Sequence, residues 1–426
     1  MINVVLGKYF RSFFILSSSL ILVKYLSIDH FAEFVFFNTF LLFLITLLIG
    51  PSPTLFTKYF SNPDLDYKHV INKGIQYWSL ISLLGVAIFY VFLRYFDNPL
   101  TLWNSRLLFF GVLIFIVNIT SILLDTIYRA NKSYKISEGA KVFESIIWLS
   151  GIFILSYLNL LNIENIIILF LLRISSMLFI YLYSLKNQNL NSAQIPKKIQ
   201  FFNDFSSLYF YRFFGFVLMR SNSLMLGFLS TNIQLAYYGF AFIFYQILVI
   251  LPGAVSWYLL SRTNEKSFFE SKDYIKVSSI TYLVCFIQAV IIFMIAPFLA
   301  FYLKGDEYFE SIKVIKILAI ASLFQAPQFF LSSFWIYKNR YKTISILLTV
   351  IGLSNIFMNI IIIPTYGALG AAATLLFSYS IGTIIQIILL HSIKDKSFSI
   401  ISLFYPKYSY LKEIYHMFYE ELKSKK

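Results

Sequence analysis

The sequence predicts an all-α polytopic membrane protein, with twelve transmembrane helices in two pseudo-symmetric six-helix lobes. Composition, the spacing of apolar runs and the placement of basic residues carry this expectation. Of 426 residues, 59% are hydrophobic and only 13% are charged. A soluble domain carries about twice that share of charge. Mean hydropathy is +0.74. These values exclude an ordinary soluble enzyme and a disordered chain.

Apolar runs of roughly 18 to 25 residues read as membrane helices. The first, at 12–28, follows Lys8 and Arg11 without a small-residue cleavage site. It reads as a retained span and not as a signal peptide. Spans follow at 31–57, 75–96, 107–128, 138–159 and 163–185. After a polar stretch, "KNQNLNSAQIPKKIQFFND", come 205–229, 234–260, 275–303, 312–336, 343–363 and 368–391. The connections are too short for a separate globular domain. After Pro406, Leu411, Ile414, Tyr415, Phe418 and Leu422 recur at helical spacing between lysines. That pattern predicts an amphipathic helix on the membrane surface.

The basic residues set the orientation. With the N-terminus inside, 26 of the 35 Lys and Arg fall on the cytoplasmic side, Lys141 among them. Five fall outside and four lie within spans. The positive-inside rule then places both termini in the cytoplasm. The net charge of +15 anchors the inner face, and no basic stripe on a soluble fold suggests nucleic acid.

The halves echo each other. "YRANKSYK" (Tyr128 to Lys135) closes the fourth span and "YKNRYK" (Tyr337 to Lys342) the tenth. Tyrosine and lysine are abundant, so chance is the plainer reading; the equivalent positions weigh against it. Six spans per repeat is even, so both halves enter the membrane in the same sense, as in parallel-repeat transporters. The predicted organisation is a lobe at 1–186, a cytoplasmic linker at 187–204, a lobe at 205–392 and a tail at 393–426.

Catalytic patterns are sparse. His30, His69, His391 and His416 share no ligand spacing, so no metal and no cofactor are expected. There is no phosphate loop of the GxxxxGK[ST] type. Cys285 stands alone and forms no internal disulfide. Asp64 and Asp66 form a DxD-like pair inside "SNPDLDYK", which is turn composition. Transport is favoured over catalysis.

The second half resembles a known family. "NIFMNIIIIPTYGALGAAATLLFSYS" (Asn355 to Ser380) closely resembles the eleventh-to-twelfth-span signature of polysaccharide flippases. These are the O-antigen or repeat-unit exporters of the multidrug/oligosaccharidyl-lipid/polysaccharide (MOP) superfamily. "LKGDEYFESIKVIKILAIAS" (Leu303 to Ser322), "NSLMLGFLSTNIQLAYYGFAF" (Asn222 to Phe242) and "YLSIDHFAEFVFFNTF" (Tyr25 to Phe40) are similar to further segments of that family. The resemblance covers most of the chain. It departs at Asn222, where members commonly carry Asp, and at Glu33, where many carry Gly.

The resemblance implies a MATE-like fold in the bacterial inner membrane. It also implies a lipid-linked oligosaccharide on undecaprenyl pyrophosphate as substrate, with membrane lipids and other polysaccharide-assembly proteins as partners. A multidrug or small-molecule exporter of the same superfamily is the first alternative. A membrane enzyme of polysaccharide assembly, such as a polymerase, is the second. Within the signature, Pro364 is expected to end span 11 and Gly367 to allow a tight turn. The small residues Gly370 to Ala373 let another helix approach.

A charge at bilayer depth costs roughly 2.5–3.5 kcal/mol on insertion scales unless it meets water or a partner. Arg220 lies deep in span 7 beside Ser221, Asn222 and Ser223, which suits either a hydrated cavity or a buried ion pair. Arg212, eight residues earlier, lies on roughly the same face or snorkels to the inner surface. Arg173 in span 6 suits a cavity role and a structural pair equally, with Glu144 in span 5 as an available partner, and Lys24 reads as interfacial. Arg220, Arg173, Arg212, Lys24 and Asn222 are therefore the candidate head-group residues. Asp125 and Arg129 are spaced i, i+4 as an ion pair. Asp125, Glu138 and Glu144 are the carboxylates best placed for coupling to an ion, should transport be coupled.

Overall fold

The structure is a computed structural model describing residues 2–50, 80, 82–88, 90–91, 99–100, 105–130, 133–185, 201–261, 272–338, 340–392, 400–407 and 410. Some side chains within helices, those of Lys8 and Arg212 among them, fall outside the description. So do Asp64, Asp66, His69, His416, most of span 75–96, most of the linker and the tail helix after Tyr410.

The described residues are helical and contain no strand. The helices are α1 (Ile2–Tyr25), α2 (Ile28–Ile49), α3 (Ser105–Ala130), α4 (Tyr134–Tyr157) and α5 (Ile163–Leu185). They continue with α6 (Phe201–Leu229), α7 (Asn232–Ser261), α8 (Lys272–Lys304), α9 (Phe309–Tyr337) and α10 (Tyr341–Ser392). Seven apolar helical stretches among these residues are long enough to cross a membrane. Two of them run 65 and 50 residues, more than twice the roughly 20 that a bilayer requires.

Three boundaries differ from expectation. α1 begins at Ile2, ahead of the expected start at 12. α2 stops at Ile49, short of 57. Gly50 caps it with φ 49° and returns its N–H to the Thr46 carbonyl at 2.9 Å, a conformation open mainly to glycine. Pro364 does not end span 11; it lies inside α10, and the break falls at Gly367 (φ 51°, ψ −130°). A proline removes one backbone donor, which a helix can tolerate when the rest of the turn is held. Positive φ interrupts the helical path outright.

The chain divides into two compact units. The first comprises Met1–Gly239 with Asn359–Ala368, and the second Phe240–Met358 with Leu369–Lys426. In the first unit, α1 packs on α4, α3 and α4 on α5, and α2 on α6. Its core is aromatic: Trp148 meets Phe170 edge-on at 5.5 Å and stacks with Phe34 at 5.9 Å.

In the second unit, α8 packs on α9 around Leu248, Ala289 and Ala319. Uncharged polar groups cross-link its helices. The Tyr245 hydroxyl donates to Gln325 Oε1 (2.5 Å), and Gln325 Nε2 donates to the Tyr379 hydroxyl (2.9 Å). Gln328 Nε2 donates to the Tyr379 carbonyl (2.8 Å) and to Thr383 Oγ1 (3.2 Å). Such bonds bind helices where water is absent. Exposed Phe298, Phe301, Phe357 and Ile361 form the apolar surface that lipid would cover.

Candidate functional site

The first unit concentrates charge where a membrane helix bundle ordinarily avoids it. α4 carries Ser137, Lys141, Glu144 and Trp148 at i, i+4, i+7 and i+11, one helical face. All four are buried. α3 brings Asp125 and Arg129, α5 brings Arg173 and Tyr181, and α1 brings Arg11.

Asp125 is the hub of one cluster. Lys141 Nζ donates to both of its carboxylate oxygens at 2.7 Å. Ser137 Oγ donates to Asp125 Oδ1 at 2.5 Å and the Tyr181 hydroxyl donates to it at 3.0 Å. Arg129 Nε lies 2.9 Å from Asp125 Oδ2, and its guanidinium also donates to Glu138 Oε1 at 3.1 Å. Tyr128 stacks on Tyr181 at 5.3 Å and donates to its carbonyl at 2.6 Å.

Glu144 is the hub of a second. Arg173 Nε donates to Glu144 Oε1 at 2.6 Å, while its guanidinium lies 5.0 Å from the Trp148 ring and 5.1 Å from that of Phe170. Aromatic faces stabilise a desolvated cation. Arg11 stands looser, 3.6 Å from Glu144 Oε2, and its Nε is buried without a hydrogen-bond partner. Together the clusters hold four cations (Arg11, Arg129, Lys141, Arg173) against three carboxylates (Asp125, Glu138, Glu144).

The structure thus brings Arg173 to Glu144 and Arg129 to Asp125, the two pairs the sequence suggested, and adds Glu138 as a second partner of Arg129. Lys141, counted with the inner-face lysines, is buried on α4 and paired with Asp125. Arg11, Ser137 and Tyr181 were not singled out from sequence. The shared face of α4 was the available signal.

The remaining candidates lie elsewhere in the first unit. Arg220 is half-buried on α6 beside Ser221, Asn222 and Ser223, all three buried. Asn222 Oδ1 accepts from Asn359 Nδ2 at 2.8 Å, so the amide that stands in place of a carboxylate makes a neutral pair. Arg212 lies on α6, its side chain outside the description. Lys24 is exposed in the last turn of α1, 5.8 Å from the Tyr25 ring, as suits an interfacial residue.

No protein-family model matches the chain, and no curated protein does. Solved structures do. The chain is similar to the lipid II flippase MurJ in an inward closed conformation, with TM-score 0.71 and 18% identity over 95% of this chain and 89% of that one. It is similar to an inward-facing multidrug resistance MATE family transporter of the MOP superfamily, with TM-score 0.68 and 12% identity over 91% and 95%. It is also similar to a MOP superfamily transporter from Pyrococcus furiosus, with TM-score 0.60 and 14% identity over 92% and 93%. The chain therefore has the fold of these transporters.

Proposed function

We propose that the protein is a flippase that moves a lipid-linked oligosaccharide repeat unit, carried on undecaprenyl pyrophosphate, across the bacterial inner membrane by alternating access. The observation that carries this reading is the likeness of the chain to the lipid II flippase MurJ over 95% of its length. The arginines of the first unit suit an anionic ligand, because arginine binds phosphate oxygens through paired hydrogen bonds as well as charge.

In this reading Arg220, with Arg173, Arg212, Lys24 and Asn222, receives the pyrophosphate head group, and the lipid tail stays in the bilayer. The two six-helix halves, 1–186 and 205–392, act as the rocking lobes, and both termini are cytoplasmic. Glu144 and Asp125 are engaged by cations in this conformation. If either couples transport to an ion, it must first give up those partners.

The likeness to a multidrug MATE transporter favours a second reading, export of a small organic ligand. Reconstitution into liposomes separates the two. Pyrophosphate-linked glycolipid should cross the bilayer only when the protein is present; transport of organic cations without glycolipid movement would establish the second reading.

A further inference from the structure

After α10 the chain returns to the second unit. A 3-10 turn at Ile400–Leu403 packs on α8. Just beyond it, the Phe404 ring meets that of Tyr282 edge-on at 5.0 Å. Leu403 and Pro406 are buried, whereas Tyr405 is 75% exposed and Lys407 is exposed. The Tyr410 N–H donates to the Lys407 carbonyl at 2.9 Å, and the Tyr410 side chain is buried again. One side of this segment is apolar and laid against the protein. The other carries a tyrosine and a lysine and is turned away from it.

The length of α8 sets the depth of the contact. α8 has 33 residues, about 50 Å at 1.5 Å per residue. A hydrocarbon core of roughly 30 Å takes up only about 20 of them. Lys304, 3.5 Å from Glu307, marks the end that the basic residues place outside. Val284 lies about 20 residues back, and its side chain is exposed. Tyr282 therefore stands at the inner headgroup level, with Lys276 and Asp273 beyond it. Aromatic rings are enriched at that level because one end of the ring is apolar and the other meets water. Residues 393–426 carry seven lysines against four side-chain carboxylates, and cationic segments are drawn to anionic lipid at the inner surface.

We propose that residues 400–410 are a membrane-surface foot of the second unit, seated on α8 through Leu403 and Phe404, whose outward side binds anionic phospholipid headgroups. Tyr405 lies among the headgroups and Lys407 meets their phosphates. The inference needs the reading of the chain as a membrane protein, and not the proposed substrate.

The test follows the depth of position 405. In a Cys285→Ala background, Tyr405→Cys is labelled with a small fluorophore and the whole protein is placed in nanodiscs. These present one lipid composition on both faces, so the result does not depend on which face is cytoplasmic. Lipid carrying a nitroxide at the headgroup should quench the label several-fold more in discs containing phosphatidylglycerol than in phosphatidylcholine alone. Adding Lys407→Glu or raising salt should remove most of that gain. Acrylamide, a neutral quencher in water, should reach the label poorly. Adding Leu403→Asp and Phe404→Ala should unseat the foot and raise acrylamide quenching several-fold.

The comparison of lipids uses a chain with its seat intact, so it decides the matter even if the unseated variant does not fold. Nitroxide quenching indifferent to phosphatidylglycerol, or to Lys407→Glu, would overturn the proposal. So would a label open to acrylamide with the seat intact. A label shielded from both quenchers would show that protein, and not lipid, covers Tyr405, and would overturn it equally.

Discussion

Glu144 accepts from Arg173 and faces Arg11, so removing its charge strands the largely enclosed Arg173 guanidinium. Breaking a buried pair costs about 3–5 kcal/mol, because the surviving charge stays desolvated. Glu144→Gln should therefore lower the melting temperature of purified protein sharply. The double variant Glu144→Leu, Arg173→Leu should recover part of that loss, and a double-mutant cycle in detergent measures the difference. Arg220 should behave otherwise. Arg220→Gln should insert and accumulate normally yet lose most glycolipid transport, and Arg220→Lys should retain part of it by keeping the charge. Normal transport by Arg220→Gln at equal protein level would remove this arginine from the head-group site.

These residues also show how much of the site was legible in the sequence. Arg173–Glu144 and Asp125–Arg129 could be read because a charge in an apolar run demands a partner, and helical spacing or a neighbouring span supplied one. Lys141–Asp125 could not. The two lie on different helices, and a lysine near a span end counts naturally with the inner-face cations. Only the packing of α4 against α3 and α5 turns Lys141 inward. Tyr181 is apolar by composition, and its hydroxyl bond to Asp125 emerges only once α5 is in place.

At the scale of elements, most helix positions followed from hydropathy, since each span must bury or lipid-face about 20 apolar residues. Where helices stop was less legible. Proline was read as a terminator at Pro364, but α10 continues to Gly367, and Pro252, Pro297 and Pro327 also lie within helices. Neighbouring helices in a bundle hold a turn that has lost one donor. The positive φ of Gly367 is a stronger break.

Gly367→Ala would force a side chain into a left-handed conformation, at about 1–2 kcal/mol, and drive its Cβ into Gln234. It should lower thermal stability by at least that amount, whereas Ala373→Gly, at an exposed position on the same helix, should lose only about 1 kcal/mol of helix propensity. Parallel melting curves compare them. Equal losses would show that the break at Gly367 is not a constrained turn.

At the scale of the molecule, the fold is that of MOP transporters, and the surface and interior divide the work. Among the described residues, large apolar side chains face outward toward lipid, neutral amides and hydroxyls bind the helices of the second unit, and buried ionised groups gather in the first. The sidedness of this arrangement rests on the basic residues. Reporter fusions after Ser61 and after Lys426 should both report the cytoplasm, and an external signal at either would reverse the orientation.

The substrate is the central claim, and reconstitution tests it most directly. Purified protein in liposomes should transfer a fluorescent undecaprenyl-pyrophosphate glycan from one leaflet to the other, and Arg220→Gln, at equal reconstituted amount, should fall close to empty liposomes. Glycolipid movement no faster than in empty liposomes, from protein that is folded and inserted, would contradict the account.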